Sequence, residues 1–196
     1  MAITADQPSS TYFGDKKALR RRLREARGSA TPEQRREWSA RISEHVLSLP
    51  AITDANTVFC YVSIGDEVDT REIINRLAAS KKHIWLPRIA AGYMQAMPFE
   101  GWETLTPGQL AIPEPPSSSP EGVRFDVTLT PGLGFSTVGE RIGYGAGHYD
   151  HWFRNNNGGV RVGLAFSLLI LDTLPTAKND VGMNVVVSEE EIIEIR

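Results

Sequence analysis

A chain of 196 residues, 41% of them hydrophobic and 23% charged, fills one core well and is short for two. A net charge of −3 and a pI near 5.8 argue against a general nucleic-acid binder, and no run of ~18 apolar residues marks a membrane span. The one cysteine, Cys60, excludes an intrachain disulfide and points to a reducing, cytoplasmic compartment, with neither nucleic acid nor membrane as partner.

Residues 1–14 read as a loose tail without the charged start and apolar stretch of a signal peptide, and 15–196 as a single domain. From Asp15, the segment DKKALRRRLREAR predicts a helix: Leu19, Leu23 and Ala26 fall at i, i+4 and i+7, the arginines cover the other faces, and Gly28 ends it. Between Lys16 and Arg41 ten Lys/Arg face three Glu, so a basic stripe sits on an acidic body. Thr31-Pro32 opens a second helix with Gln34 at the capping-box site, Trp38, Ile42, Val46 and Leu49 as its apolar stripe, and Pro50 as its stop.

Strand and helix then alternate. Thr57 to Val62 is a β-branched and aromatic run, with Cys60 in it as a small buried hydrophobe. Asp69 and Thr70 cap a helix that buries Ile73, Ile74 and Leu77, and His83 to Leu86 is a second strand in which Trp85 reads as core. This βαβ pattern implies a parallel sheet covered by helices, with functional groups at the carboxyl ends of its strands, where Glu67, Pro87 and Arg88 fall. Residues 91–122 contain six prolines and read as a weak strand at 94–99 followed by a surface excursion. Strand character returns at Phe125 to Leu129, Val160 to Ala165 and Val185 to Val187.

The most informative stretch is GERIGYGAGHYD, Gly139 to Asp150. Alternating Gly143, Gly145 and Gly147 let backbone N–H groups turn toward an anion, Arg141 supplies a cation, and Asp150 a carboxylate suited to Mg²⁺. A helix beginning in the aromatic stretch Tyr149 to Phe153 would add its positive dipole end. The spacing is neither GxxxxGK[ST] nor GxGxxG. His148 and His151 stand i, i+3 but lack a third ligand for zinc.

KxxxR (Lys16, Arg20), DEVDT (Asp66 to Thr70), LPR (Leu86 to Arg88), IPEP (Ile112 to Pro115) and PGLGFxxxGxRIGYGAGHYD (Pro131 to Asp150) occur in the order in which they are found in the 5-formyltetrahydrofolate cyclo-ligase family, which the chain resembles from Lys16 onward. The resemblance implies a three-layer α/β/α sandwich with a mostly parallel sheet. It also implies an ATP- and Mg²⁺-dependent closure of 5-formyltetrahydrofolate to 5,10-methenyltetrahydrofolate, releasing ADP and phosphate, and the expected oligomeric state is a monomer. Its implied ATP contacts are Lys16, Arg20, Arg141, Ile142, Gly143, Tyr144, Gly145, Ala146, Gly147, His148 and Tyr149, with Lys16 and Arg141 in catalysis. Its implied folate contacts are Val62, Glu67 and the shared stretch Tyr144, Gly145, Ala146, Gly147 and His148, and its implied metal ligands are Asp150 and Asp180. Glu114 is left open between exposed and functional.

Two departures stand out. Ser136 replaces an aspartate usual in the family, and Asn179 replaces a histidine before Asp180, so a titratable partner becomes a neutral amide. They motivate the alternative of a non-catalytic paralogue that binds folate and nucleotide.

Overall fold

The computed structural model describes residues 15–108, 112–116, 123–156 and 158–195; the tail expected at 1–14 lies outside the described residues. Helix α1, Lys16–Ser29, starts at Asp15, whose carboxylate accepts the Lys17 N–H at 2.8 Å. It runs through Gly28, which is not among the glycines with positive φ and so cannot act as the left-handed stop. Helix α2, Pro32–Ser48, carries the full reciprocal capping box between Thr31 and Gln34. Pro50 ends α2 as expected and also opens a one-turn helix, α3, Pro50–Thr53.

Strand β1 is Thr57–Cys60 and helix α4 is Arg71–Ala79. Thr70 stands at the cap of α4 but gives its hydroxyl to the Tyr61 carbonyl at 2.8 Å, so it is Asp69 that accepts the Arg71 N–H. Strand β2, His83–Ala90, is longer than the sequence suggests and takes in Pro87 and Arg88, which therefore lie inside a strand rather than beyond one. It pairs antiparallel with β3, Tyr93–Pro98, and that pairing is what extends it. The chain continues with β4 (Thr106–Pro107), β5 (Pro113–Glu114), β6 (Val127–Thr130), β7 (Gly134–Ser136), β8 (Arg141–Ile142), α5 (His148–Asn155), β9 (Val160–Leu164), β10 (Ile170–Leu171), β11 (Val185–Val187) and β12 (Ile192–Glu194).

The main sheet has seven strands in the order β12-β11-β9-β6-β1-β2-β3, parallel from β11 to β2 and antiparallel only at its edges. A smaller sheet, β10-β7-β8, stands beside it. Alternation along β1 divides the apolar mass: Val58 and Cys60 point into the large cluster that includes Ile42 and Val46 of α2 and Ile73, Ile74 and Leu77 of α4. Phe59 points the other way, onto Trp152 of α5, Met94 and Phe125. Helices thus cover both faces, the α/β/α arrangement expected, and the Cys60 thiol is fully buried, with its pKa pushed up by desolvation. Trp85 packs edge-on against Phe125 as core. Glu114, 4% exposed, accepts the Ile89 N–H and lies 3.9 Å from Arg88, so it braces β2 from β5.

Phe135 of β7 reaches the main sheet at Gly163 of β9, where a Cβ would sit 2.4 Å from its ring. Gly163→Ala therefore forces the ring aside. The expected cost is about 1–3 kcal/mol of overpacking, read as a fall of several degrees in the thermal midpoint; an unchanged Tm contradicts this close approach.

Candidate functional site

Several expected residues gather at the carboxyl edge of the sheet, where α1, the loop after β1, the turn after β6 and the glycine loop between β8 and α5 meet. The loop takes the conformations its glycines permit: Gly145 has φ 116 and Gly147 φ 71, the latter as the cap residue before α5. Residues 144–147 are exposed, while Ile142 just before them is buried, so its side chain anchors the loop in the core. The helix begins at His148, one residue earlier than expected.

Two arginines bracket this loop. Arg20 donates from Nε to the Gly143 carbonyl at 2.9 Å, and its guanidinium lies close to the place a Cβ on Gly145 would occupy. Arg141 lies beneath: its side chain is 6% exposed, pairs with Asp150 at 2.9 Å, and rests 5.6 Å from the centre of the Tyr149 ring. The arginine that the sequence places in a loop is therefore a buried strand residue. Its Nε and the Tyr149 hydroxyl have no hydrogen-bond partner. Burial drives the Tyr149 pKa well up, so it stays a neutral phenol.

Lys16, one turn before Arg20 on α1, reaches Asp180 at 2.5 Å. Asp180 also accepts the Ala177 N–H at 2.8 Å, and the next residue, Val181, donates its N–H to Asp150 at 3.0 Å. The two expected metal ligands thus stand side by side, each already matched with a cation. Desolvation alone would raise the Asp180 pKa; the Lys16 hydrogen bond, the Ala177 N–H and the charges of Lys16 and Arg141 outweigh it and hold the carboxyl below its usual value.

These carboxylates, 19% and 27% exposed at the side chain, offer hard anionic oxygens and no sulfur or imidazole. Among the described residues no group of three or more His, Cys, Asp or Glu forms a closed cage. That donor set fits Mg²⁺, which keeps several waters and takes other ligands from phosphate, and it does not fit zinc at His148 and His151. His151 instead lies 5.3 Å from the Tyr93 ring.

On the opposite side of the loop, Tyr144 donates its hydroxyl to Glu67 Oε1, and Glu67 Oε2 accepts the Ile64 N–H at 3.0 Å. Glu67 is pushed up in pKa by burial, partly offset by these two hydrogen bonds and by Arg27. Val62, by contrast, is a core residue. A surface cleft of about 470 Å³ opens beside Glu67 along α2, lined by Arg35, Arg36, Ser39 and Asp69 among others.

Sequence reasoning missed Arg27, read there as one more solvated arginine. It is 7% exposed and bridges Asp66 and Tyr144. The signal was available, because Lys16, Arg20 and Arg27 at i, i+4 and i+11 share one face of α1. Of the two departures, Ser136 is buried and bonds the Glu140 backbone across the β7–β8 turn, and at Asn179 it is the backbone carbonyl that accepts from Arg154 at 2.6 Å.

Comparison with known proteins gives a consistent result. The model of the 5-formyltetrahydrofolate cyclo-ligase family matches residues 13–189. A 5-formyltetrahydrofolate cyclo-ligase of Escherichia coli K12 is 28% identical over 180 residues, covering 88% of this chain and 99% of that one. A probable 5-formyltetrahydrofolate cyclo-ligase of Caenorhabditis elegans is 27% identical, covering 91% and 94%. The solved structure of Aquifex aeolicus 5,10-methenyltetrahydrofolate synthetase superposes with a TM-score of 0.79 at 28% identity, covering 92% and 93%.

Proposed function

The chain belongs to the 5-formyltetrahydrofolate cyclo-ligase family, and from that premise we propose that it converts 5-formyltetrahydrofolate to 5,10-methenyltetrahydrofolate at the expense of ATP and with Mg²⁺. The observation that supports this best is the direct hydrogen bond between Tyr144 of the glycine loop and Glu67. It joins the glycine loop, which in this reading binds the phosphates, to Glu67, which in this reading binds the pterin.

In the reaction the formyl oxygen attacks the γ-phosphorus and ADP departs. N10 then attacks the activated carbon and loses its proton, and the C–O bond breaks to release phosphate. Lys16, Arg20 and the loop N–H groups bind the phosphates and offset the charge that develops during transfer. Arg141 supports the loop from below and adds its charge through a dry interior. The Glu67 carboxylate accepts the adjacent N–H donors of the pterin and so fixes the formyl group beside the loop. When bound by Asp150 and Asp180, Mg²⁺ supplies further neutralisation of phosphate oxygens. The reading takes the protein as a monomer in a cytoplasmic setting, the latter in keeping with its one cysteine.

The test is the rise in absorbance of methenyltetrahydrofolate when purified protein meets 5-formyltetrahydrofolate and Mg·ATP. ATP-independent turnover, or none, sinks the proposal. Glu67→Gln keeps the shape and removes the charge, so the KM for folate is expected to rise about 10-fold while that for ATP holds. Because burial raises the Glu67 pKa, its carboxylate is lost on acidification sooner than that of a free glutamate. The folate KM of the native protein therefore climbs as pH falls toward that raised value, a climb that Glu67→Gln abolishes. A change confined to the ATP KM removes Glu67 from the folate side.

A further inference from the structure

Tyr144 sits between Gly143 and Gly145, on permissive backbone, and is 41% exposed. Little packing fixes such a side chain. What holds it is a set of polar contacts: Arg27 Nη1 donates to the Tyr144 hydroxyl at 2.7 Å, the Arg27 guanidinium lies 5.6 Å from the centre of its ring, and the hydroxyl donates onward to Glu67. Arg27 itself is set by Asp66, 2.6 Å from its Nη2. One buried guanidinium thus ties together α1, the loop after β1 and the glycine loop. Its charged bonds to a carboxylate and a hydroxyl are directional, which a lysine could not reproduce.

We propose that Arg27 is a positioning residue: through Tyr144 it sets the Gly143–Gly147 loop against the Glu67 carboxylate, so that the groups receiving the two substrates are held in register. The inference rests on the cyclo-ligase reading for the identity of those substrates and on geometry alone for the positioning. The polar partners of Arg27 are Tyr144 and Asp66. Its effect passes through the Tyr144 hydroxyl, and that route makes it separable from a merely structural arginine.

The experiment combines two measurements on the full chain. The first is hydrogen–deuterium exchange, without ligands, of the hydrogen-bonded amides that anchor the loop, such as the His151 N–H on the Gly147 carbonyl, which is expected to speed up about 10-fold in Arg27→Met and in Asp66→Asn. The second is a double-mutant cycle on turnover. Arg27→Met and Tyr144→Phe each lower kcat by roughly 10- to 100-fold, the scale of an ångström-sized misalignment, and the pair together lowers it no further than the worse single change. Asp66 is a partly exposed residue, so Asp66→Asn with Tyr144→Phe gives the same cycle should Arg27→Met fail to fold, and melting curves identify that failure. Losses that multiply, or anchoring amides that exchange at the native rate in Arg27→Met or Asp66→Asn, overturn the proposal. Native protein that makes no methenyltetrahydrofolate strikes the cyclo-ligase reading alone, because the exchange measurement needs no substrate.

Discussion

Lys16→Ala is expected to lower kcat/KM for ATP by about 10²- to 10³-fold with little change in thermal stability. The asymmetry follows from where the lysine stands. Its side chain is 27% exposed and its ion pair with Asp180 is equally exposed, a setting in which such a pair contributes at most about 1 kcal/mol. In the proposed reaction the same ammonium meets a γ-phosphate, on which charge increases during transfer, and there it has no substitute. The partner reports the change independently. Lys16 is a principal reason the Asp180 carboxyl titrates low, so its removal lets that value rise. A carboxyl with a lowered native pKa adds stability that is present above its unfolded value and disappears as pH falls through the native one. Acid unfolding of Lys16→Ala should therefore begin at a higher pH than in the native chain. Unaltered ATP kinetics would take Lys16 out of the site.

The legible parts of this molecule were those with periodic or punctuated sequence. The capping box at Thr31 and Gln34, the apolar face of α4 and the β-branched core strands each announce themselves over a handful of residues. Strands β7, β8, β10 and β12 did not, because two or three residues cannot display an alternation. They exist through pairing with distant partners, such as Phe135 with Arg141 and with Ile170. The candidate site was legible as motifs, and the fold brings Lys16, Arg20, Glu67, Arg141 and Asp150 to the glycine loop or its supports. Which cation faces which carboxylate was not. Lys16 meets Asp180 and Arg20 meets a carbonyl far along the chain, and such pairings are set by tertiary packing. Arg27 was passed over as one of many arginines on α1: its place on the face of Lys16 and Arg20 sets it apart, and its burial and its pairing with Asp66 come from packing. Of the two departures, Ser136 bonds within the β7–β8 hairpin through its side chain, whereas Asn179 meets Arg154 of α5 through its backbone carbonyl, a contact that does not depend on the residue type.

Arg141→Ala is expected to remove activity and stability together, unlike the lysine change. From the sequence alone Arg141 is a cation of the glycine-rich stretch. Its guanidinium is instead buried on β8 against Tyr149 and paired with Asp150, and a Cβ on Gly143 would lie 3.0 Å from its Nη1. Truncation leaves the Asp150 carboxylate, itself 19% exposed, without its cation, and orphaning one member of a buried pair costs about 3 kcal/mol. ATP turnover should fall at least about 10³-fold, since the loop loses both its support and a positive charge. The two losses can be uncoupled. In Arg141→Met with Asp150→Leu no carboxylate is stranded, so the melting temperature should recover most of the way toward the native value. Activity should not recover, because in the proposed reaction the nucleotide still lacks this cation and Mg²⁺ a ligand. A native-like melting curve for Arg141→Ala would deny the buried pair, and native ATP kinetics in the doubly substituted chain would deny that this end of the sheet receives the nucleotide.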